Sequence, residues 1–87
     1  MVLNAKTRAM IFGEPPEAWS LNPDSYPETD GIECTVALSI EGDENNGYHL
    51  IMSPEGFFTA DNWYQSLEEA QKAAHEQFDV NSDAWAC

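Results

Sequence analysis

Basic residues are what this 87-residue chain lacks most. It has three, Lys6, Arg8 and Lys72, against sixteen Asp and Glu, for a formal net charge of −13. From Ala9 to Gln71 there is no Lys or Arg, while thirteen carboxylates fall in that span. Such a surface repels nucleic acid and anionic membrane and attracts basic partners in a salt-dependent way. The bland counterpart is that acidity keeps a small protein soluble.

Cysteine is scarce too. Two residues, Cys34 and Cys87, make no disulfide framework. Cys34 alternates with apolar positions and reads as a buried thiol, whereas Cys87 reads as a free one. No apolar run approaches the roughly 18 residues of a membrane helix. No basic-then-apolar leader opens the sequence. These absences lead us to expect a soluble, cytoplasmic protein of one domain. There is no internal repeat and no low-complexity segment.

Catalytic signatures are missing as well. No glycine-rich phosphate loop occurs, and Ser20, Ser39, Ser53 and Ser66 sit in no nucleophile elbow. His49, His75, Cys34 and Cys87 are the only soft metal ligands, and no two have the close spacing of a structural zinc site. Asp43-Glu44-Asn45-Asn46 is rich in oxygen but lacks the EF-hand spacing and its closing Glu. Cys34 with His49 or His75 is the one conceivable nucleophile–base pair, and a core thiol is inert. The expectation is no cofactor, no metal and no catalytic residue.

What is present is architecture. Ile32 to Ile40 alternates, with Ile32, Cys34, Val36, Leu38 and Ile40 on one face and Glu33, Thr35, Ala37 and Ser39 on the other. Period two with β-branched residues predicts a half-buried strand. Glu41 to Gly47 is polar, and Asn46-Gly47 suits the positive φ of a hairpin turn. Tyr48 to Ser53 is the returning strand, with Tyr48, Leu50 and Met52 on one face. Pro54-Glu55-Gly56 is a turn, and Phe57 to Ala60 reads as a short further strand. Lys6 to Phe12 reads as a first strand, with Arg8, Met10 and Phe12 opposite Thr7, Ala9 and Ile11. Met1 to Asn4 is expected to fray.

A helix follows the strands. Ser66 and Glu69 have capping-box spacing, so the Ser hydroxyl can accept from the Glu69 amide and the Glu carboxylate from the Ser66 amide. Leu67, Ala70, Ala74 and Phe78 form an apolar stripe at steps of three and four. Glu68 and Lys72 are set for an i,i+4 pair. Trp63 is placed to plug the strand–helix corner. The predicted span is Leu67 to Phe78 with Ser66 as N-cap.

The rest is loop and tail. Gly13 to Gly31 is long for a connection without regular structure, and such loops are often functional. Pro15 or Pro16 suits the start of a single helical turn through Glu17, Ala18 and Trp19. Leu21 and Tyr26 read as pins onto the core. The outward strip Thr35, Ala37, Ser39 is small and uncharged, and coverage by this loop is its expected fate. Trp85, in the tail, either docks on the domain or belongs to an interface.

The run Gly47-Tyr48-His49-Leu50-Ile51-Met52-Ser53, followed by Trp63-Tyr64-Gln65-Ser66-Leu67-Glu68-Glu69-Ala70 and on to Phe78, resembles a recurring end of small bacterial proteins. These carry a strand pair, a short glycine-flanked strand and a W-x-x-S-L-E-E-A start to a terminal helix. Some similar small acidic proteins look like toxin immunity proteins. The resemblance implies the architecture and transfers no catalytic residue.

The expected fold is α+β, an antiparallel sheet of three or four strands in β-β-β-β-α order with one C-terminal helix across one face. The expected function is non-enzymatic protein binding through an acidic surface, as an inhibitor or immunity-type protein, by a monomer or weak homodimer. The partner is then a basic protein surface, with no direct nucleic acid and no membrane. Candidate contact residues are Glu14, Glu17, Asp24, Glu28, Asp30, Asp43 and Glu44, with Trp19 and Tyr26 as aromatic anchors. The competing reading of those aromatics is loop pins on the core. The alternatives in function are nucleic-acid mimicry, inhibiting a DNA- or RNA-binding protein, and a small metal-binding or enzymatic domain.

Overall fold

A computed structural model describes residues 2–13, 19–28 and 30–86. It is α+β with one C-terminal helix, and its sheet has five strands rather than three or four. These are β1 (Val2–Gly13), β2 (Trp19–Ser20), β3 (Ile32–Asp43), β4 (Gly47–Pro54) and β5 (Ala60–Tyr64), followed by α1 (Leu67–Phe78). The sheet is antiparallel throughout, in spatial order β2-β1-β3-β4-β5.

β1 and β3 form the spine. They pair from Val2↔Glu41 to Ile11↔Ile32, which accounts for the molecule's length of 42 Å against 22 and 19 Å across. The first strand therefore begins at Val2, where fraying was expected, because β3 runs on to Asp43 and offers it a partner. One face of the sheet carries Leu3, Ile11, Cys34, Val36, Leu38, Ile40, Tyr48, Leu50 and Met52, all buried. Ile32 falls in the same alternation but lies beyond the covered area and is exposed.

The helix spans the predicted residues. Ser66 Oγ accepts from the Glu69 amide at 3.1 Å. The reciprocal bond is shifted by one residue, since Glu69 Oε2 accepts from the Gln65 amide at 3.3 Å. Asp79 closes the helix in the left-handed region at φ 58°, donating its N–H to the His75 carbonyl. Ala70, Ala73, Ala74 and Phe78 are buried and Leu67 is half-buried. An alanine-rich stripe brings the helix backbone close to the sheet, with Phe78 supplying bulk at its far end. Lys72 Nζ lies 4.0 Å from Glu76, not at Glu68.

The last strand lies later than the hydrophobic pattern indicates. Phe57 is buried in the turn after Pro54, and pairing with β4 resumes only at Met52↔Ala60. β5 thus contains Asp61 and Asn62, poor strand formers whose state is decided by the neighbouring strand. Trp63 belongs to β5 rather than to the strand–helix corner, and its ring lies over Gly47. A Cβ on Gly47 would come within 2.3–2.4 Å of the indole, and Gly47 also has φ +83°. The indole N–H donates to the Asn46 carbonyl at 3.0 Å, so the ring braces the β3–β4 turn.

The described part of the long connection folds against the helix side of the sheet. Trp19 is in β2 and not in a helical turn, with Phe12↔Ser20 and Gly13↔Trp19 paired. Its half-buried indole donates to the Phe58 carbonyl at 3.0 Å, tying β2 to the segment before β5 and curling the sheet. Leu21 packs on the core beside it. Pro23–Ser25 makes a 3₁₀ turn capped by Asn22. At the other end the tail returns to β1. Asn4 and Ala86 exchange both backbone bonds, at 2.7 and 2.8 Å, and Trp85 docks against the core. The Trp85 indole N–H is buried without a hydrogen-bond partner.

Candidate interaction surfaces

A sheet with a helix on one side has a second face to account for. Here that face carries Asn4, Lys6, Arg8 and Met10 from β1, and Glu33, Thr35, Ala37, Ser39 and Glu41 from β3. His49, Ile51 and Ser53 of β4 and Asp61 and Trp63 of β5 complete it. Cross-strand rows run Lys6–Ala37–Ser53 and Asn4–Ser39–Ile51–Asp61. No layer of described residues covers these rows, and Ala37 is exposed. The described residues of the Gly13–Gly31 connection therefore do not supply the expected cover of this strip, and residues 14–18 and 29 lie outside the described residues. Trp19 and Leu21 of that connection pack against the core on the opposite face.

The proposed contact residues separate into two groups. Asp24, Glu28 and Asp30 are exposed and belong to the connection that leads into the start of β3. Asp43 and Glu44 are exposed at the far end of β3, twelve residues long. The structure thus sets the two acidic groups at opposite ends of the long axis. Glu14 and Glu17 lie outside the described residues. Tyr26 is half-buried beside the first group. Trp19 makes the intramolecular contacts given above, which are those of a pin.

At the Asp43 end a further carboxylate joins that the sequence pattern did not single out. Glu44 and Glu68 line one shallow hollow with Tyr48, Gln65, Ser66 and Leu67. Lys72 Nζ lies nearest Glu76, at 4.0 Å, and Glu68 is in no ion pair among the described residues, although Lys72 and His75 line a neighbouring hollow with it. The signal for this convergence was the capping box, because it fixes the helix start next to the hairpin. Asp43 itself is occupied. Its Oδ1 accepts from the backbone N–H of Asn45 at 2.9 Å and of Asn46 at 2.8 Å, and the Asn46 amide reaches both carboxylate oxygens at 3.2 Å. These bonds, led by the Asn46 backbone N–H, hold the Asp43 carboxyl below its ordinary pKa.

Chemistry that needs converging groups finds little here. Among the described residues no three His, Cys, Asp or Glu side chains are arranged to hold a metal ion. Cys34 is buried on the inner face, while His49 is exposed on the outer face and His75 is exposed on the helix. Among the described residues, the one ion-pair contact of a histidine side chain is His49 Nδ1 to Asp61 at 3.9 Å, and both of those side chains are exposed. Among the described residues, no helix is long and apolar enough to cross a membrane. No protein-family model, no curated protein and no solved structure matches the chain.

Proposed function

We propose that this chain is a non-enzymatic protein-binding module of the cytoplasm, an inhibitor or immunity-type protein that engages a basic partner through its acidic surface. The observation that supports this reading is the distribution of unneutralised charge. No charged residue among those described is buried, and only Glu33, Asp61 and Glu76 have a basic or histidine neighbour within ion-pair distance. Carboxylates left exposed and unpaired create a field that accelerates encounter with a cationic surface. The hairpin end, with Glu44 and Glu68 about one hollow, is the place where that field has an adjacent apolar contact in Leu67.

The test begins by isolating a bound partner from native cytoplasm and measuring its association by stopped flow. Glu44→Lys together with Glu68→Lys should slow association by about tenfold and flatten its salt dependence. Glu44→Lys should leave the melting temperature nearly unchanged, since Glu44 is an exposed turn residue, whereas Glu68→Lys puts a cation in the first turn of α1 and should cost about 0.3–1 kcal/mol. Asp43→Lys is the poorer probe because it also removes the turn hydrogen bonds. A partner whose binding ignores salt and both reversals would overturn the acidic-surface reading.

A further inference from the structure

Two of the three basic residues lie on β1, and β1 has an edge that the sheet does not use. Asn4 exchanges its backbone N–H and C=O with Ala86, so those groups point away from β3. In a strand, every second residue points its backbone groups the same way. Those of Lys6, Arg8 and Met10 therefore face the same open side. β2 takes up that side only at Phe12 and Gly13. Between the Ala86 bridge and β2, no strand of described residues pairs with it. Folded proteins usually blunt such edges, because open N–H and C=O groups template a further strand.

We propose that the Lys6–Met10 edge of β1 receives an extended segment of another polypeptide by strand addition, with acidic side chains alternating with apolar ones. Alternation is required by the two sides of the edge. On the outer face Lys6 and Arg8 are exposed, and carboxylates at alternate positions of the incoming strand would meet them. Arg8 is already oriented by Glu33 at 3.0 Å and Thr35 at 3.3 Å. On the inner face Ala5, Thr7 and Ala9 are small and half-buried, and the end of the helix is adjacent, with Thr7 Oγ1 donating to the Phe78 carbonyl at 3.5 Å. Apolar side chains of the incoming strand would extend the core past these small residues.

A second copy of this chain fits the edge poorly. Antiparallel self-pairing centred on Arg8 sets Arg8 opposite Arg8, and centring on Thr7 sets Lys6 opposite Arg8. Like charges directly opposite are destabilising, and each molecule brings a net charge of −13. The same net charge does not bar an acidic peptide at contact range, because the screening length at physiological salt is about 8 Å.

The experiment uses the whole chain, isotope-labelled, and a capped peptide of about seven residues alternating valine with glutamate, a typical strand length. Adding the peptide should shift the Lys6 and Arg8 amide resonances and slow their hydrogen exchange. The same peptide with lysine for glutamate should bind about tenfold more weakly. Methylating the peptide's inward-facing backbone nitrogens should abolish binding, and this arm leaves the protein untouched. Lys6→Glu with Arg8→Glu should reverse the preference between the two peptides. Glu44→Lys, which probes the acidic end, should leave this binding unchanged, so the two proposals fail separately. Lack of peptide binding, or shifts confined to β5, would overturn the proposal. So would a dimer in sedimentation whose Lys6 and Arg8 amides are protected without peptide.

Discussion

The two faces of this sheet are built from the same strands, yet they were assembled on different principles. The inner face stacks Ile11, Val36, Leu38, Ile40 and Leu50, each at most 2% exposed, under a helix whose contact stripe is mostly alanine. The outer face places Ala37, Ser39 and Ser53 at its centre and leaves Ala37 in solvent. One face derives stability from apolar area removed from water. The other gives up that stabilisation and keeps a surface with small residues at its centre, bounded by Lys6 and Arg8 on one side and by Asp61 and Trp63 on the other. What differs between the faces is what can be changed without unfolding the protein.

The sharpest break in that comparison is a pair of substitutions on opposite faces. Leu50→Ala removes a fully buried side chain with the helix above it and should cost about 2–5 kcal/mol. Ala37→Ser on the outer face should change stability by no more than about 0.5 kcal/mol. Urea melts followed by circular dichroism would measure both. Comparable losses would mean that the outer face is covered after all.

The next contrast concerns the two half-buried tryptophans that seal the inner face. Trp19 donates its indole N–H to the Phe58 carbonyl, whereas the buried Trp85 N–H has no hydrogen-bond partner. Trp19→Phe should therefore cost about 1 kcal/mol beyond the lost ring area. Trp85→Phe deletes an unsatisfied donor, whose burial costs about 1–3 kcal/mol, and should be nearly neutral. Equal destabilisation by the two variants would show that ring area, not the hydrogen bond, ties β2 to Phe58.

How much of this was legible in the sequence follows from which interactions decide each part. The β3 and β4 facing and the helix limits are governed by local rules, namely alternation, a side-chain cap and a spacing of three and four, and those can be read from one segment at a time. β2 and β5 are governed by a neighbour. Trp19-Ser20 is a strand because Phe12 and Gly13 are beside it, and Asp61-Asn62 because Leu50 and Ile51 are. The candidate surface was legible as composition but not as place. Asp24 and Asp43 look alike in sequence, and only the long β1–β3 pairing sets them at opposite ends. The i,i+4 spacing of Glu68 and Lys72 predicts an ion pair, whereas the Lys72 ammonium lies nearer Glu76, one turn on. The open edge of β1 has no sequence mark beyond its two cations, because an edge is defined by which strand is missing.

The smallest effect is expected at the rim where the two faces meet, and it is resolved by pH. Asp43 accepts hydrogen bonds from Asn45 and Asn46 as a carboxylate, and its folded pKa lies below the ordinary value. A depressed folded pKa gives a contribution that is fully present above the unfolded pKa, near 3.9, and lost as pH falls through the folded value. The raw acid profile of this chain is a poor measure of it, because protonating sixteen carboxylates also relieves mutual repulsion. The difference between the native chain and Asp43→Asn removes that background, since the two share every other carboxylate. Asparagine keeps one acceptor oxygen and loses the charge, so the stability difference isolates what the charge adds to the turn. It should be constant from pH 7 to about pH 5 and shrink below about pH 4. Urea midpoints across that range would measure it, with the Asp43 carboxyl carbon titrated by NMR as a direct check. A difference that stays constant to the lowest pH at which the chain is folded, or an ordinary titration midpoint, would mean that the carboxylate does not organise the hairpin. In that case the turn is held by Gly47 and the Trp63 ring above it.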